Sequence, residues 1–464
     1  MKQWKVVFLS TGLATVLAAS GALAGAAERP RTAAEGWDQG RGLDGPGVVL
    51  PERARVAAVN RMVEARLETV LPRLMRETGI DMWLILNREY AEDPLYLTLV
   101  PEPAFAARRT TMLVFFDRGE EAGIERLTVS RYPLGRLYDA VWEGGDLDEQ
   151  WQRLATVIEE RQPKKIGVNT SRHWPVADGL TASLHERLLE VLGPELGRRV
   201  TSAEALAVRW AETRTAEELE SYPHIVGLAR GVIAEAFSSR VITPGVTTTD
   251  DVAWYIHQRF VDLGLPVWFH PDVNLQRAGE GCGEEDPFCG VEGVIRRGDV
   301  LHTDVGVCYL RLCTDTQEMG YVLRLGERQP PAGLVRALQV GNRWQDLLTG
   351  AFETGHTGNQ ILAAARAASA AEGIVGSVYT HPLGFFGHAP GPTIGMWDNQ
   401  GPTPVRGDWP LHPDTGYAIE GNVKVQIEEW DGQWVQIKLE QSAVYDGERV
   451  LYLAGRQTAW HRVE

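Results

Sequence analysis

Two aspartates eleven residues apart constrain this chain more than any other feature. They lie in the run His302-Thr303-Asp304-Val305-Gly306-Val307-Cys308-Tyr309-Leu310-Arg311-Leu312-Cys313-Thr314-Asp315-Thr316. A hairpin turning near Leu310 gives ladder partners whose numbers sum to about 619, and this sets Asp304 opposite Asp315. Opposed β-carbons are ~5 Å apart, where like charges repel. A cation between the carboxylates reverses the sign of that interaction. Two bare acids in a largely apolar hairpin therefore point to a metal. Two exposed strand acids in a shifted register are the alternative that this feature leaves open.

Other groups of the same chemistry follow along the chain. His381-Pro382-Leu383-Gly384-Phe385-Phe386-Gly387-His388 has two histidines at odd spacing with internal Pro and Gly. No regular strand face can hold both, so the segment is expected to be a loop that aims two imidazoles into a cleft. Tyr417-Ala418-Ile419-Glu420-Gly421-Asn422 and Val435-Gln436-Ile437-Lys438-Leu439-Glu440 carry the last acids. The second alternates apolar and polar residues, which puts Glu440 on one strand face with Gln436 and Lys438. Asp431-Gly432, between Trp430 and Trp434, is a hairpin signal.

Taken in order, Asp, Asp, His, His, Glu and Glu at these spacings resemble the pita-bread metallopeptidases, a family that includes methionine aminopeptidase, aminopeptidase P, prolidase and creatinase. The resemblance covers roughly residues 213–464. It implies an α+β pita-bread catalytic domain there. Aminopeptidase P and prolidase also carry an α/β N-terminal domain, which residues 30–212 would supply. By the same resemblance Asp304, Asp315, His381, Glu420 and Glu440 hold two divalent ions, and His388 contacts the substrate. Four carboxylates and one imidazole suit Mn, with Co, Zn or Fe(II) as alternatives. A dinuclear site clamps and activates a bridging water, whose hydroxide attacks a peptide carbonyl. The implied activity is that of a metallo-exopeptidase acting next to proline. The implied partner is a peptide, and a homodimer is a further expectation of the resemblance.

Several positions depart from the family pattern. Its hydrolases place another His about 17–21 residues ahead of the first Asp, whereas here that interval holds none. His270, further upstream, and His302, on the strand face of Asp304, are the candidates for its catalytic role, each with an ordinary structural reading beside it. Lys438 stands where the peptidases more often have Arg, keeping the charge and losing the bidentate fork. Gly421-Asn422 replaces the usual Pro-Gly. A regular hairpin about Asp431-Gly432 would turn Glu420 away from Glu440; a bulge at Gly421 would correct this, and Glu428 is the fallback ligand.

The first half places no catalytic residue types at telling spacings. A helix over 51–78, strands near 82–86, 111–116, 127–129 and 165–168, and helices near 149–160 and 180–192 predict an α/β domain. The second half predicts helices over 216–235, interrupted near Pro223, then 250–263, 334–348 and 358–373, and a long ordered loop from Pro382 to Pro413.

The first 24 residues have a basic head, Lys2 and Lys5, an apolar stretch from Val6 to Ala19 and an Ala-x-Ala site. This describes a secretory signal peptide and a periplasmic or extracellular destination. No other segment is apolar for long enough to span a bilayer, so no membrane is expected after cleavage. The net charge of −16 comes with no basic run, which argues against a nucleic-acid partner. In an oxidising compartment Cys282 and Cys289, which bracket an acidic loop, are expected to pair; a zinc clip is the alternative, and Cys308 and Cys313 offer it no C-x-x-C pair. Two other functions compete with the peptidase: another hydrolase on the same scaffold, such as a creatinase-like amidinohydrolase, and a catalytically silent module that binds peptides or proteins.

Overall fold

The computed structural model describes residues 48–464, so the expected signal peptide lies outside the described residues. Among the described residues, seventeen strands fall into three sheets. The first half contributes β1 (Met82–Arg88), β2 (Thr110–Asp117), β3 (Ile124–Ser130), β4 (Asp139–Ala140), β5 (Ile166–Val168) and β6 (Val200–Ser202). They form one mixed sheet in the order β4-β3-β2-β1-β5-β6. Its strands are short apolar runs, and β1 is buried along all but its last residue. Helices Leu147–Arg161 and Ala182–Gly197 cover one face through Trp151, Leu154, Ile158, Leu184 and Leu188. The other face packs Trp83, Ile85 and Phe115 against helices from both halves of the chain.

The second half supplies β7 (Asp272–Gln276), β8 (Val300–Val305), β9 (Cys308–Tyr309), β10 (Leu312–Cys313), β11 (Thr316–Val322), β12 (Val375–Val378), β13 (His381–Leu383), β14 (Thr415–Ile427), β15 (Gln433–Tyr445), β16 (Val450–Tyr452) and β17 (His461–Val463). Nine of them form one sheet with the spine β12-β14-β15-β11-β8-β7, while β9 and β10 pair separately. All the paired strands of that sheet are antiparallel except β17, which runs parallel to β11. Helices Ala332–Thr349 and Gly358–Ala371 pack on it through Leu334, Leu338, Trp344, Ile361 and Leu362.

Most predicted helices are present. The expected break at Pro223 is not: the helix Ala216–Ala236 runs through it. A capping box between Thr215 and Glu218 fixes its start, and Tyr222, Ile225, Val226 and Leu228 are buried on either side of the proline. Burial thus outweighs the one backbone hydrogen bond that proline cannot make. All four cysteines are bridged. Cys282 pairs with Cys289 as expected, and Cys308 with Cys313, which leaves no thiolate for a zinc clip. Among the described residues no helix is long and apolar enough to cross a membrane.

Candidate active site

The ladder registers place five polar side chains in one cross-strand row. Asp272 on β7 pairs with Asp304 on β8, and Asp304 pairs with Gln317 on β11. Gln317 pairs with Glu440 on β15, and Glu440 with Glu420 on β14. Two turns set this row; both lie close to where the sequence pattern puts them, but each gives a different register from the one expected. The first lies at Leu310-Arg311, both with positive φ (53° and 65°), the backbone that a two-residue hairpin of right-handed twist requires. Cys308 then faces Cys313, and Asp304 faces Gln317 rather than Asp315. The shift from the expected register is two residues, so parity is kept and both aspartates stay on one face. The second turn spans residues 428–432, with Asp431 and Gly432 at its end. Five connecting residues instead of two bring Glu420 opposite Glu440 through an unbroken ladder. No bulge at Gly421 is needed, and Glu428 lies in the turn at the far end of the hairpin.

The His loop closes over this row. His381 begins β13, which pairs with β14 so that His381 lies opposite Ala418. Its Nδ1–H donates to the Pro382 carbonyl (3.0 Å). Its Nε2 points at three carboxylates: Asp315 Oδ2 at 3.5 Å, Glu440 Oε1 at 3.6 Å and Glu420 Oε2 at 3.8 Å. Ligand atoms of Asp304, Asp315 and Glu440 also lie within 4.8 Å of one another.

Four buried atoms in this group have no hydrogen-bond partner: Asp304 Oδ1, Asp315 Oδ1, Glu440 Oε1 and His381 Nε2. Burial, and next the Glu440 carboxylate, push the carboxyls of Asp304, Asp315 and Glu420 well above the usual range. Buried polar atoms are rarely left unpaired, and clustered acids are unfavourable without a counter-charge. Hard oxygen donors and one imidazole with a fixed tautomer suit divalent cations. The residues present therefore fit the metal that their order implied.

A cavity of ≈ 270 Å³ opens beside the cluster, lined among others by Trp174, Tyr379, His381, His388, Met396 and Arg406. A larger hollow of ≈ 380 Å³ around Phe105, Tyr132 and Leu134 contains none of the clustered acids; chemistry, not size, picks the smaller one. His388 is exposed on the cavity wall, its ring 4.6 Å from that of His381 and 5.1 Å from that of Trp268. Desolvation, and next His381, push its pKa down to about 4, so it is neutral near pH 7. Trp174 comes from the first half of the chain and carries the Arg406 guanidinium over its ring at 5.7 Å.

The two upstream histidines fare differently. His270 is exposed, pairs with His257 (Nδ1 to Nδ1, 3.1 Å) and lies tilted against Trp254, with ring centroids 4.6 Å apart; it is not among the residues lining the cavity. His302 is buried, with Nε2 2.8 Å from Gln317 Oε1 and Nδ1 3.0 Å from Asn274 Nδ2. Lys438 is buried with its Nζ 3.4 Å from Asn274 Oδ1, and burial lowers its pKa to about 8. Gln317, Asn274, Tyr379, Trp268, Trp174 and Arg406 were not singled out from the sequence. Gln317 alone had a signal there, two residues after Asp315 on a period-two strand.

Residues 220–444 match the sequence profile of metallopeptidase family M24. Among solved structures, the X-Pro aminopeptidase from Thermotoga maritima MSB8 superposes with a TM-score of 0.61 at 18% identity, covering 84% of this chain and 100% of that one. The dipeptidase from Pyrococcus horikoshii OT3 gives 0.57 at 18% identity, over 86% and 100%. The Xaa-Pro dipeptidase from Bacillus anthracis gives 0.56 at 16% identity, over 87% and 100%. At these identities the likeness shows a shared fold, first half included. The comparison with curated protein sequences returns no match.

Proposed function

We propose, from the premise that this chain belongs to metallopeptidase family M24 through residues 220–444, that it is an exported exopeptidase that cleaves next to proline. The observation that carries this reading is the convergence of unpartnered buried atoms from Asp304, Asp315, His381 and Glu440. With Glu420 they would hold two divalent ions, Mn in the first place, with Co, Zn or Fe(II) as alternatives. Such a pair supplies an activated water as nucleophile and polarises the scissile carbonyl.

The chain's own residues do the rest. His381 is held by the Pro382 carbonyl so that Nε2 keeps its lone pair for a cation. His388, neutral on the cavity wall, can donate a hydrogen bond to the oxygen that gains charge when the peptide carbonyl is attacked. Arg406 puts a cation in the same cavity, suited to a peptide carboxylate. The proline preference is carried over from the X-Pro aminopeptidase and Xaa-Pro dipeptidase whose fold the chain shares. Export is supported by the disulfides, which use all four cysteines. In this reading residues 1–24 are the signal peptide, 30–212 a domain that walls the cavity through Trp174, and 213–464 the catalytic unit.

The test is hydrolysis of an Xaa-Pro peptide panel by the purified protein, metal-free and with added Mn, Co or Zn, alongside metal analysis. Metal-dependent cleavage that is lost in Asp304→Ala is expected. Cleavage that survives both Asp304→Ala and Glu440→Ala sinks the metal mechanism. Bound metal without cleavage favours another hydrolase on the scaffold, and neither favours a silent binding module.

A further inference from the structure

We propose that Lys438, Asn274, His302 and Gln317 form a one-way chain of hydrogen bonds that aims the Gln317 amide at Glu420 and Glu440, making Gln317 a positioning residue for both glutamates. The inference rests on the reading of the carboxylate cluster as a metal site.

The direction of every link is fixed by a group that can act in only one way. The Lys438 ammonium has hydrogens and no lone pair, so the Asn274 atom 3.4 Å from it is the side-chain oxygen. The other end of that amide lies 2.8 Å from Asp272 Oδ2, and a carboxylate only accepts. The Asn274 NH2 group therefore also faces His302 Nδ1, at 3.0 Å, and makes that nitrogen an acceptor. The imidazole hydrogen is left on Nε2, which donates to Gln317 Oε1 at 2.8 Å. With its oxygen engaged there, Gln317 turns its NH2 group to the acids. Its Nε2 donates to Glu420 Oε1 at 2.7 Å and to Glu440 Oε2 at 3.0 Å.

The choice of residue has a physical consequence. Glu420 and Glu440 are directly opposed on the ladder, and something must hold them in one geometry. An Arg or Lys in place of Gln317 would hold them by neutralising them, and would compete with a bound cation. An amide donates two hydrogens without a charge, so both carboxylates keep their full attraction for a metal. It also occupies one oxygen of each, while Glu440 Oε1 is left without a partner. A flipped Gln317 would present its carbonyl oxygen to two carboxylates, and the hydrogen on His302 Nε2 is what prevents the flip. His302 so acts through Gln317 rather than on a substrate.

The test is calorimetric titration of the metal-free, full-length mature protein with Mn²⁺, for wild type and for Gln317→Met, His302→Met and His302→Gln. Gln at 302 can still accept from Asn274 and donate to Gln317; Met fills the space and does neither. Removing an outer partner of a metal ligand weakens metal binding by about 10–100-fold. The expected result is a loss of that order in Gln317→Met and His302→Met, and binding near that of wild type in His302→Gln. The double variant His302→Met/Gln317→Met should bind no more weakly than Gln317→Met alone. Gln317→Met that binds like wild type, equal affinities in His302→Met and His302→Gln, or losses that multiply in the double variant would each overturn the proposal. Nitrogen NMR of the metal-free wild type reads the imidazole directly and needs no variant to fold. A hydrogen on Nε2 is expected, and one on Nδ1 overturns the chain of bonds. A wild type that binds no Mn²⁺ overturns the metal-site reading and with it the role given to Gln317. A wild type that binds Mn²⁺, with unaffected variants, overturns that role alone.

Discussion

Glu420 and Glu440 face each other at one position of the β14–β15 ladder, the latter almost fully buried. Directly opposed like charges destabilise a sheet, so the site should oppose folding when empty and favour it when filled. Chelation is expected to lower the melting temperature, and Mn²⁺ at a hundred times its dissociation constant to restore about 3 kcal/mol. Glu440→Gln separates the two effects. Without metal it should be more stable than wild type by about 1 kcal/mol, and Mn²⁺ should no longer raise its melting temperature. Differential scanning calorimetry with and without chelator reads both. Equal melting of the two metal-free proteins would contradict the argument.

A second prediction concerns the wall of the cavity. The Trp268 indole donates to the Thr314 carbonyl (2.9 Å), next to Asp315, and lies edge-on to His388. It fits there because Gly306 and Gly387 carry no side chain: a β-carbon at either position would sit 2.1 Å from the indole. Gly387→Ala should therefore move both Trp268 and the neighbouring His388. Overpacking of this kind costs about 1–3 kcal/mol, and turnover is expected to fall about tenfold or more, because a misplacement of 1 Å has effects of that size. Paired measurements of urea midpoint and turnover check it; a destabilised variant with full turnover would separate His388 from the chemistry.

How much of this was readable beforehand depends on which physical signal each feature carries. The order of the acids and histidines was legible because metal-ligating side chains are rare in apolar strands. The registers were not. Leu310 and Arg311 adopt left-handed backbone without the glycine or asparagine that announces such a turn. The Asp431-Gly432 pair does announce one, but it closes a five-residue connection, and only tertiary packing decides that length. Parity survived the first error because the shift was even. Gln317 carries no charge, so no spacing rule marked it; only the ladder shows it standing between Asp304 and Glu440.

The acid limb of stability should be dominated in part by Glu318, the residue after Gln317. Burial raises its carboxyl, but Arg230 and His461 more than offset that and hold it down to about 2, against an ordinary 4.5. Arg230 Nε lies 2.6 Å from one oxygen and His461 Nε2 2.5 Å from the other. The folded value lies below the unfolded one. The stabilisation is thus complete above about pH 4.5 and is lost as pH falls towards 2. A shift of this size corresponds to about 3 kcal/mol. Glu318→Gln should be less stable than wild type by about that amount at pH 7, with the gap closing towards pH 2. Urea unfolding at pH 7, 4 and 3 tests it, and a gap that stays constant with pH would refute the assignment.

The last prediction concerns what holds the His loop from behind. Phe385, between His381 and His388, lies under two guanidinium groups, Arg66 at 4.6 Å and Arg214 at 4.5 Å from the ring centroid. Both cations share Glu218, Arg66 Nη1 at 3.2 Å and Arg214 Nη1 at 3.3 Å, and all three side chains are almost wholly buried. Arg66 also donates to the backbone carbonyls of Trp210 and Thr213. Burial, the largest influence, lowers its pKa only to about 10, so it stays charged near neutrality. Arg66→Met would strip two buried carbonyls of a donor and leave Glu218 to Arg214 alone. Removing one partner of a buried ion pair costs about 3–5 kcal/mol, and the remaining pair with Arg214 puts the expectation at the lower end, about 3 kcal/mol. Arg66→Met/Glu218→Met should lose less than the sum of the single variants, because the two groups share one network. Equilibrium unfolding of the three variants decides it: strict additivity would mean that Arg66 is held by its carbonyl acceptors and that Glu218 belongs to Arg214.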